Sequence, residues 1–560
     1  MPRDFTDNSW QRTELKNFAL GLWDESIVSR ASVEDGACVE VQDVEFLPKG
    51  GMSKRAGIAK KNASIAASAS DGTGGNIIKL YQWQTPAGSD LILAWSNQTT
   101  DSVCSGIYTV DTGASDTIFT PVVCHQAETK DWTPDGTSQI IATSYMGSAV
   151  FTYGLTNGMP LVYTGTGQAS GVRAAPSGVH CLESWADFLI AGNYTDTSGL
   201  QSSRVGWCYP GNPWANPLNA DAVEWPAAYY IDLDPEDGDQ IVAMKAFQNS
   251  IVVFKRSKMY QLSWVGGTTM FDYNRISTEI GCNGPDAVYE HMGKLWWLGP
   301  KGFYVWDGSQ APQELSIPIS PQITNVDTNY AHFCFVQPYK KNNQIWVTIP
   351  KVSTDCFDNV YVYDYTLNCW TRFNMSAYCL GLLRVSTTKT FASYPEAYSH
   401  WSGPGDVISS TSTRGRDMLA LGYAGYLKEY GVGTSDDGVT IDAYWRSGWL
   451  DWDIPDRNKR LMRTTFLVSV QGNTDYNLNV QLYKDWDWET PQWGISTNDL
   501  TGEVDLYQAG EVSEKVVERR WDKTLYMRAL QLMLGTDELT TPFTVHRIIV
   551  DWIAKGRTKG

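Results

Sequence analysis

The sequence has little charge, almost no helical periodicity and no long apolar run, and each shortage excludes something. Charged residues make up 19% of the 560 positions. No stretch approaches the roughly 18 consecutive apolar residues of a membrane-crossing helix. The opening, MPRDFTDNSWQR, lacks an apolar core, so it does not read as a secretory signal. None of the ten cysteines forms a C-x-x-C pair, and no short framework spacing appears. In a chain this long they read as free, mostly buried thiols made in a reducing cytoplasm. Basic clusters are scarce as well. Asp and Glu total 62 against 44 Lys and Arg, a net charge of −18. Such a surface does not draw nucleic acid by counterion release.

Catalytic and metal-binding signatures are also missing. The histidines (His125, His180, His291, His332, His400 and His546) show neither H-x-x-x-H nor H-E-x-x-H spacing, and Cys124 beside His125 has no partners nearby in sequence. No phosphate-binding loop, dinucleotide fingerprint or G-x-S-x-G elbow occurs. The expectation is no catalytic site, no metal and no cofactor.

What is present is aromatic and strand-forming. Trp, Tyr and Phe reach 12% of the chain, with 24 Trp. Apolar or alternating runs such as IIKLYQWQ from Ile77, LILAWS from Leu91, KLWWLG from Lys294 and QIWVTIP from Gln344 are cut by Gly, Asn, Asp and Pro, the pattern of strands and turns. The clearest helix candidate is short, around Ser513 to Arg520; a second, around Glu34 to Gln42, reads equally as a strand.

The strands recur as paired units that end in an aromatic and a turn: SGIYTVDTG from Ser105, KGFYVWDGS from Lys301, NVYVYDYT from Asn359 and AGYLKEYG from Ala424. Seven such units lie near 76–120, 137–165, 178–215, 239–268, 285–312, 330–373 and 380–432. A period of about 30 to 50 residues is that of propeller blades, which bury aromatic-rich sheet faces on one another. Tandem sandwiches with ordinary hairpins are the plainer alternative. The fold expected is mainly β: a β-propeller of six to eight blades over 76–435, preceded by an N-terminal arm and platform segment over 1–75. That arm ends in the small-residue linker Ser64 to Asn76. A C-terminal β-sandwich or platform domain over 436–560 follows, so that the chain ends build the platform.

Two motifs invite a functional reading. Thr434 to Ile441 reads T-x-D-x-G-x-T, like the Asp-box turn of sialidase-type propellers, where it is a structural turn. Asp232, Asp234, Glu236, Asp237 and Asp239 form the densest acidic run. It opens like a calcium loop but has Asp237 and Ala243 where an EF-hand needs Gly and Glu. A solvated turn between blades is the simpler reading. Lys49, Lys54, Arg55, Lys60 and Lys61 make the main basic patch, and Lys555, Arg557 and Lys559 a second. In an acidic chain both are candidates for contact with an acidic partner ring or a neighbouring subunit, with a solvated arm as the alternative.

Three segments together resemble the propeller-containing nozzle, hub or "stabilisation" proteins of short-tailed bacteriophages. The first is Asn17-Phe18-Ala19-Leu20-Gly21-Leu22, then Val44-Glu45-Phe46, then Gly50 through Gly57, similar to N-F-x-x-G-L … N-V-x-F … G-x-L-x-K-R-x-G. Asp43 stands where Asn is common, and Met52 where Leu is. The second runs from Ile251 to Ser257 and Tyr260-Gln261-Leu262, then Ile280-Gly281-Cys282 and Gly302 to Gly308. The third is Ser447-Gly448-Trp449-Leu450-Asp451 with Lys459-Arg460. The resemblance spans nearly the whole chain through the order of weak pieces.

It implies a structural tail protein, made in the bacterial host cytoplasm and residing in the virion tail. Such a protein is a homo-oligomer, usually a hexamer, below the adaptor and portal rings, that conducts phage DNA during ejection and holds tail fibres or spikes. Trp449, Asp451, Lys459 and Arg460 then join the interface candidates. Six copies at −18 each make a strongly acidic ring, in which DNA would slide without sequence-specific binding. The alternative from another class is a carbohydrate-active or carbohydrate-binding propeller, a sialidase-like tailspike or adhesin, which as a hydrolase needs paired carboxylates about 5–10 Å apart.

Overall fold

The computed structural model describes residues 10–557 except 25–32, 63–74, 87, 97–105, 112–117, 125–138, 154–157, 173–174, 212–224, 268, 351, 353, 355, 390–411, 470–476, 488, 490–501, 506–514, 523 and 537–541. The linker Ser64 to Asn76 falls almost entirely outside these residues, as do Lys559, His125 and His400.

Nine sheets account for the strands described, and seven follow one another along the chain. Their innermost strands are Ile77–Gln84, Ile141–Tyr145, Cys181–Trp185, Ile241–Phe247, Val288–His291, Phe335–Tyr339 and Cys379–Lys389. Each packs beside the next, and the last packs beside the first, so the ring closes. These are blades 1 to 7 of a β-propeller, each an antiparallel meander. Blade 2 carries a fifth, parallel edge strand, Val123–Cys124.

Blade 7 is completed from far away in sequence. Its outer strand Ile58–Lys60 pairs antiparallel with Tyr426–Tyr430, so the N-terminal segment crosses from the platform to latch the ring. Gly57 makes the crossing possible: a Cβ there would lie 2.2 Å from the Ser435 carbonyl oxygen.

The hairpins follow from turn chemistry. Met146-Gly147, Met292-Gly293 and Ala424-Gly425 all have positive φ at both positions, the two-residue turn whose twist matches the strands it joins. Aromatic side chains then stack blade on blade. Trp95 of blade 1 meets Phe151 of blade 2 at 5.4 Å, Phe254 of blade 4 meets Trp297 of blade 5 at 5.3 Å, and Trp346 of blade 6 meets Tyr430 of blade 7 at 4.6 Å. Aromatic pairs of this kind, two of them edge-to-face and Phe254 with Trp297 tilted, add about 0.5–1.5 kcal/mol each beyond area burial.

The two remaining sheets form the platform. One holds Val44–Phe46, Met52–Lys54, Thr544–Arg557, Arg457–Ser469 and Val516–Trp521, with Gln11–Leu15 and Leu525–Met527 as further partners. The other holds Cys38–Gln42, Ala443–Ser447, Leu530–Thr536, Asn477–Lys484 and Gly502–Asp505. Both sheets feed one apolar core with Phe18, Trp445 and Trp552, continuous with Trp297 and Trp370 of blades 5 and 6.

The helix expected near Ser513 to Arg520 is instead the strand Val516–Trp521, paired with Thr464 to Ser469. Its half-buried positions alternate with period two, so sheet pairing overrides local helical preference. Glu34 to Gln42 resolves to the strand Cys38–Gln42.

Candidate functional site

Two features connect the propeller to possible function: the joint that fixes it to the platform, and the channel along its axis. The joint centres on Arg55. Its side chain is 0% exposed, and all five guanidinium N–H donors are used. Nε donates to Asp43 Oδ1 at 2.6 Å. Nη1 and Nη2 donate to Asp436 Oδ1 and Oδ2 at 2.9 and 2.6 Å, and to the carbonyls of Ala56 and Asn374, each at 3.1 Å. The pair with Asp436 is bidentate, the geometry Arg supplies and Lys does not. Asp43 Oδ1 also accepts from the Asn374 backbone N–H at 2.8 Å. One side chain therefore ties the arm, blade 6 and the platform entry together. Burial pushes the Asp43 carboxyl up to about 6 against the opposing pull of Arg55, while burial of Arg55 is outweighed by Asp436 and Asp43, which hold it charged.

The predicted basic patch is thus not a free surface patch. Arg55 and Lys54 are buried. Lys60 pairs with Asp437 at 2.9 Å, and Lys61 pairs with Glu429 at 2.5 Å. The correction has one cause: this arm runs beside blade 7, whose acidic edge it neutralises. Lys49 is exposed and Lys555 half-buried; Arg557 ends the last strand.

The third resemblance segment is likewise internal. Trp449 packs with Tyr483 and Ala529. Asp451 accepts from the Asp453 backbone N–H at 3.0 Å. Lys459, 0% exposed, donates to the carbonyls of Ile454 and Arg528 at 2.8 and 2.5 Å, and burial pulls its ammonium down to about 8. Arg460 lies over the Tyr526 ring at 5.7 Å.

The acidic run is a turn between blades 3 and 4 in which cations fill the places a metal would take. Asp232 pairs with Arg204 at 2.7 Å. Asp234 accepts from Tyr260 at 2.8 Å and pairs with Arg275 at 3.1 Å. Asp237 pairs with Lys255 and Lys258 at 2.8 and 2.7 Å. Asp239 accepts from the Ser257 hydroxyl at 2.6 Å. Glu236 is exposed. Among the described residues no cluster of His, Cys, Asp and Glu has the makings of a metal site. The Asp-box-like segment is a turn as well, with Asp436 and Val439 bridged and Ile441 buried.

The channel is lined by all seven innermost strands and holds a cavity of about 250 Å³. Its charges come in pairs: Lys79 with Asp286, and Lys245 with Glu183 at 3.2 Å. Gln139 donates to the second oxygen of Asp286 at 3.3 Å. At the end where the innermost strands begin, the channel opens into a larger cavity of about 550 Å³. Its walls include His180, Asn193, Gln240, Arg256 and Asn283, and one side is raised by the connection from blade 5 to blade 6, with Thr324, Thr328 and His332. Gly284 lets this connection settle against the mouth, since a Cβ there would lie 2.8 Å from the His332 Cα. Burial lowers the His180 imidazole, and nearby His332 lowers it further.

Sequence reasoning missed the mouth and the latch. Their residues lie on different blades, and no local motif links them. Of the Arg55 cluster, the sequence marked Arg55, Asp43 and Asp436 in three separate segments, with nothing to show that they meet.

No protein-family model and no curated protein matches the chain. Solved structures similar to it include an exo-β-1,3-galactanase from Phanerochaete chrysosporium (8% identity, TM-score 0.26, covering 88% of this chain and 100% of that one). A second is the Pan2 WD40 domain of Neurospora crassa (8% identity, TM-score 0.35, 69% and 98%). A third is a putative 6-phosphogluconolactonase from Bacteroides fragilis (10% identity, TM-score 0.31, 68% and 93%). The assignment of a β-propeller joined to a two-sheet platform rests on the strand order and ring closure of the chain itself.

Proposed function

We propose that this chain is a structural subunit of a short-tailed phage tail, a nozzle or hub ring member that extends the portal–adaptor channel, conducts DNA during ejection and holds fibres or spikes. The observation that carries the reading is the meeting of both chain ends in one platform. Gln11–Leu15 pairs with Trp552 to Ile548 of the last strand, and the same N-terminal segment goes on to latch blade 7. A platform stitched to its propeller in this way suits a part that must transmit load without domain slippage. The ordered resemblance of three segments, and a net charge of −18 that favours sliding over binding of DNA, support the same reading.

In this reading DNA runs through the hole of the assembled ring. The propeller's own channel, with about 250 Å³ of free space, has no room for a duplex. Acidic side chains facing the ring's lumen lower friction on the DNA; a continuous Lys and Arg lining in a solved hexamer would overturn that part. Quantitative mass spectrometry of purified virions tests the assignment as a whole: the chain is expected in purified particles as a stoichiometric component, at a hexamer's copy number. Its absence from purified particles would remove the proposal.

A further inference from the structure

We propose that the cavity at the mouth of the propeller channel binds a small anion of the size of a sugar acid or a sugar phosphate. The inference does not depend on the assembly role proposed above.

Size is the first argument. About 550 Å³ falls within the range of ligand pockets, roughly 300–1,000 Å³, and exceeds what a few waters need. Charge is the second. The chain carries 62 acidic residues, yet among the described residues no Asp or Glu lines this cavity, whereas Arg256, His180 and His332 do; Asp239, just outside it, accepts from the Arg256 backbone N–H at 3.2 Å. A wall that carries a guanidinium and no described carboxylate, set in an acidic protein, selects an anion.

Preorganisation is the third argument. With its amide oxygen turned to Arg256, Gln240 accepts from Nη2 at 2.8 Å and from Nε at 3.0 Å. Among the described residues no carboxylate pairs with this guanidinium. It is therefore fixed in position by a neutral partner and leaves its second Nη for a ligand, a suitable arrangement for a carboxylate or phosphate oxygen. Every other arginine that meets a carboxylate here is spent on it, Arg55 and Arg204 among them.

Below the mouth the charge sign changes to neutral, because Lys79, Gln139 and Asp286 satisfy one another. The anion's place is thus confined to the mouth.

The test uses the full-length protein with D-galacturonate, glucose 6-phosphate and, as the neutral control, glucose. Binding is followed by saturation-transfer NMR and calorimetry at low ionic strength. The expected result is saturable binding of at least one acid and none of glucose. Arg256→Ala should weaken that binding at least about tenfold with an unchanged melting temperature, and Arg256→Lys should restore part of it. Galacturonate alone would identify a carboxylate site, glucose 6-phosphate alone a phosphate site, and both a site that reads negative charge. The proposal is overturned if neither acid saturates, if glucose binds as well as the acids, or if Arg256→Ala binds like the parent protein.

Discussion

Arg55 and Asp436, 381 positions apart in the chain, form a bidentate ion pair with N–O distances of 2.9 and 2.6 Å in the seam between platform and propeller. The Arg55 end is wholly buried and the Asp436 end mostly so. Asp43 supplies the second carboxylate. Propeller and platform, meeting on such a cluster, are held in one relative orientation.

Arg55→Ala should destabilise the protein by about 3–5 kcal/mol, because it leaves Asp43 and Asp436 without their cation. Arg55→Lys should recover only a minor part, since a single ammonium cannot span both carboxylates. Chemical denaturation of the three proteins measures both effects. Equal stability of parent and Arg55→Ala would mean that the joint is not under load.

The latch gives a second expectation. Gly57→Ala places a methyl group against the Ser435 carbonyl oxygen and should displace Ile58–Lys60 from blade 7. Hydrogen exchange should then quicken at Glu429 and Gly431, whose amides face the outer strand, while blades 3 and 4 keep their protection. Uniformly faster exchange would instead indicate global destabilisation.

Acid titration probes the turn between blades 3 and 4. Burial opposes ionisation of Asp237, but hydrogen bonds from Lys255 and Lys258 outweigh it and hold the carboxyl at about 2. A carboxyl held below its unfolded value stabilises the fold above that value, near 3.8, and the contribution fades as pH falls towards 2. Asp237→Asn should therefore be less stable than the parent at neutral pH, with the gap narrowing between about pH 4 and pH 2. A gap constant across that window would show that the charge is not the source.

Thiol chemistry offers a fourth check. Cys38, Cys181, Cys208, Cys282, Cys334, Cys369 and Cys379 are free and buried, and Cys356 is partly exposed. Burial raises the Cys208 thiol to about 11 and the Cys282 and Cys379 thiols to about 12. Under native conditions an alkylating reagent mapped by mass spectrometry should modify Cys356 first among these eight, with the rest reacting only after unfolding. Early modification of Cys282 or Cys379 would contradict the packing of blades 5 and 7.

Much of the fold could be read from the sequence, because blade strands declare themselves locally. KLWWLG and GFYVWDG are bounded by turn residues and became adjacent strands of blade 5. The roles of charged residues were not legible. Lys54 and Arg55 look like an exposed basic patch in sequence, and only the return of the chain 381 positions later shows that Arg55 is buried. The acidic run likewise gives no hint that Arg204, Lys255, Lys258 and Arg275, spread over three strands and a turn, converge on it. The mouth cavity was invisible for the same reason: His180, Gln240 and His332 enter it from three separate connections between blades.

The central claim, a tail-ring subunit, is most directly tested by mass photometry of the purified chain alone and with its upstream adaptor ring. The account predicts assembly to six copies on the ring, seen as a six-fold annulus by low-resolution microscopy. A chain that stays monomeric and unbound in the presence of the adaptor would contradict it.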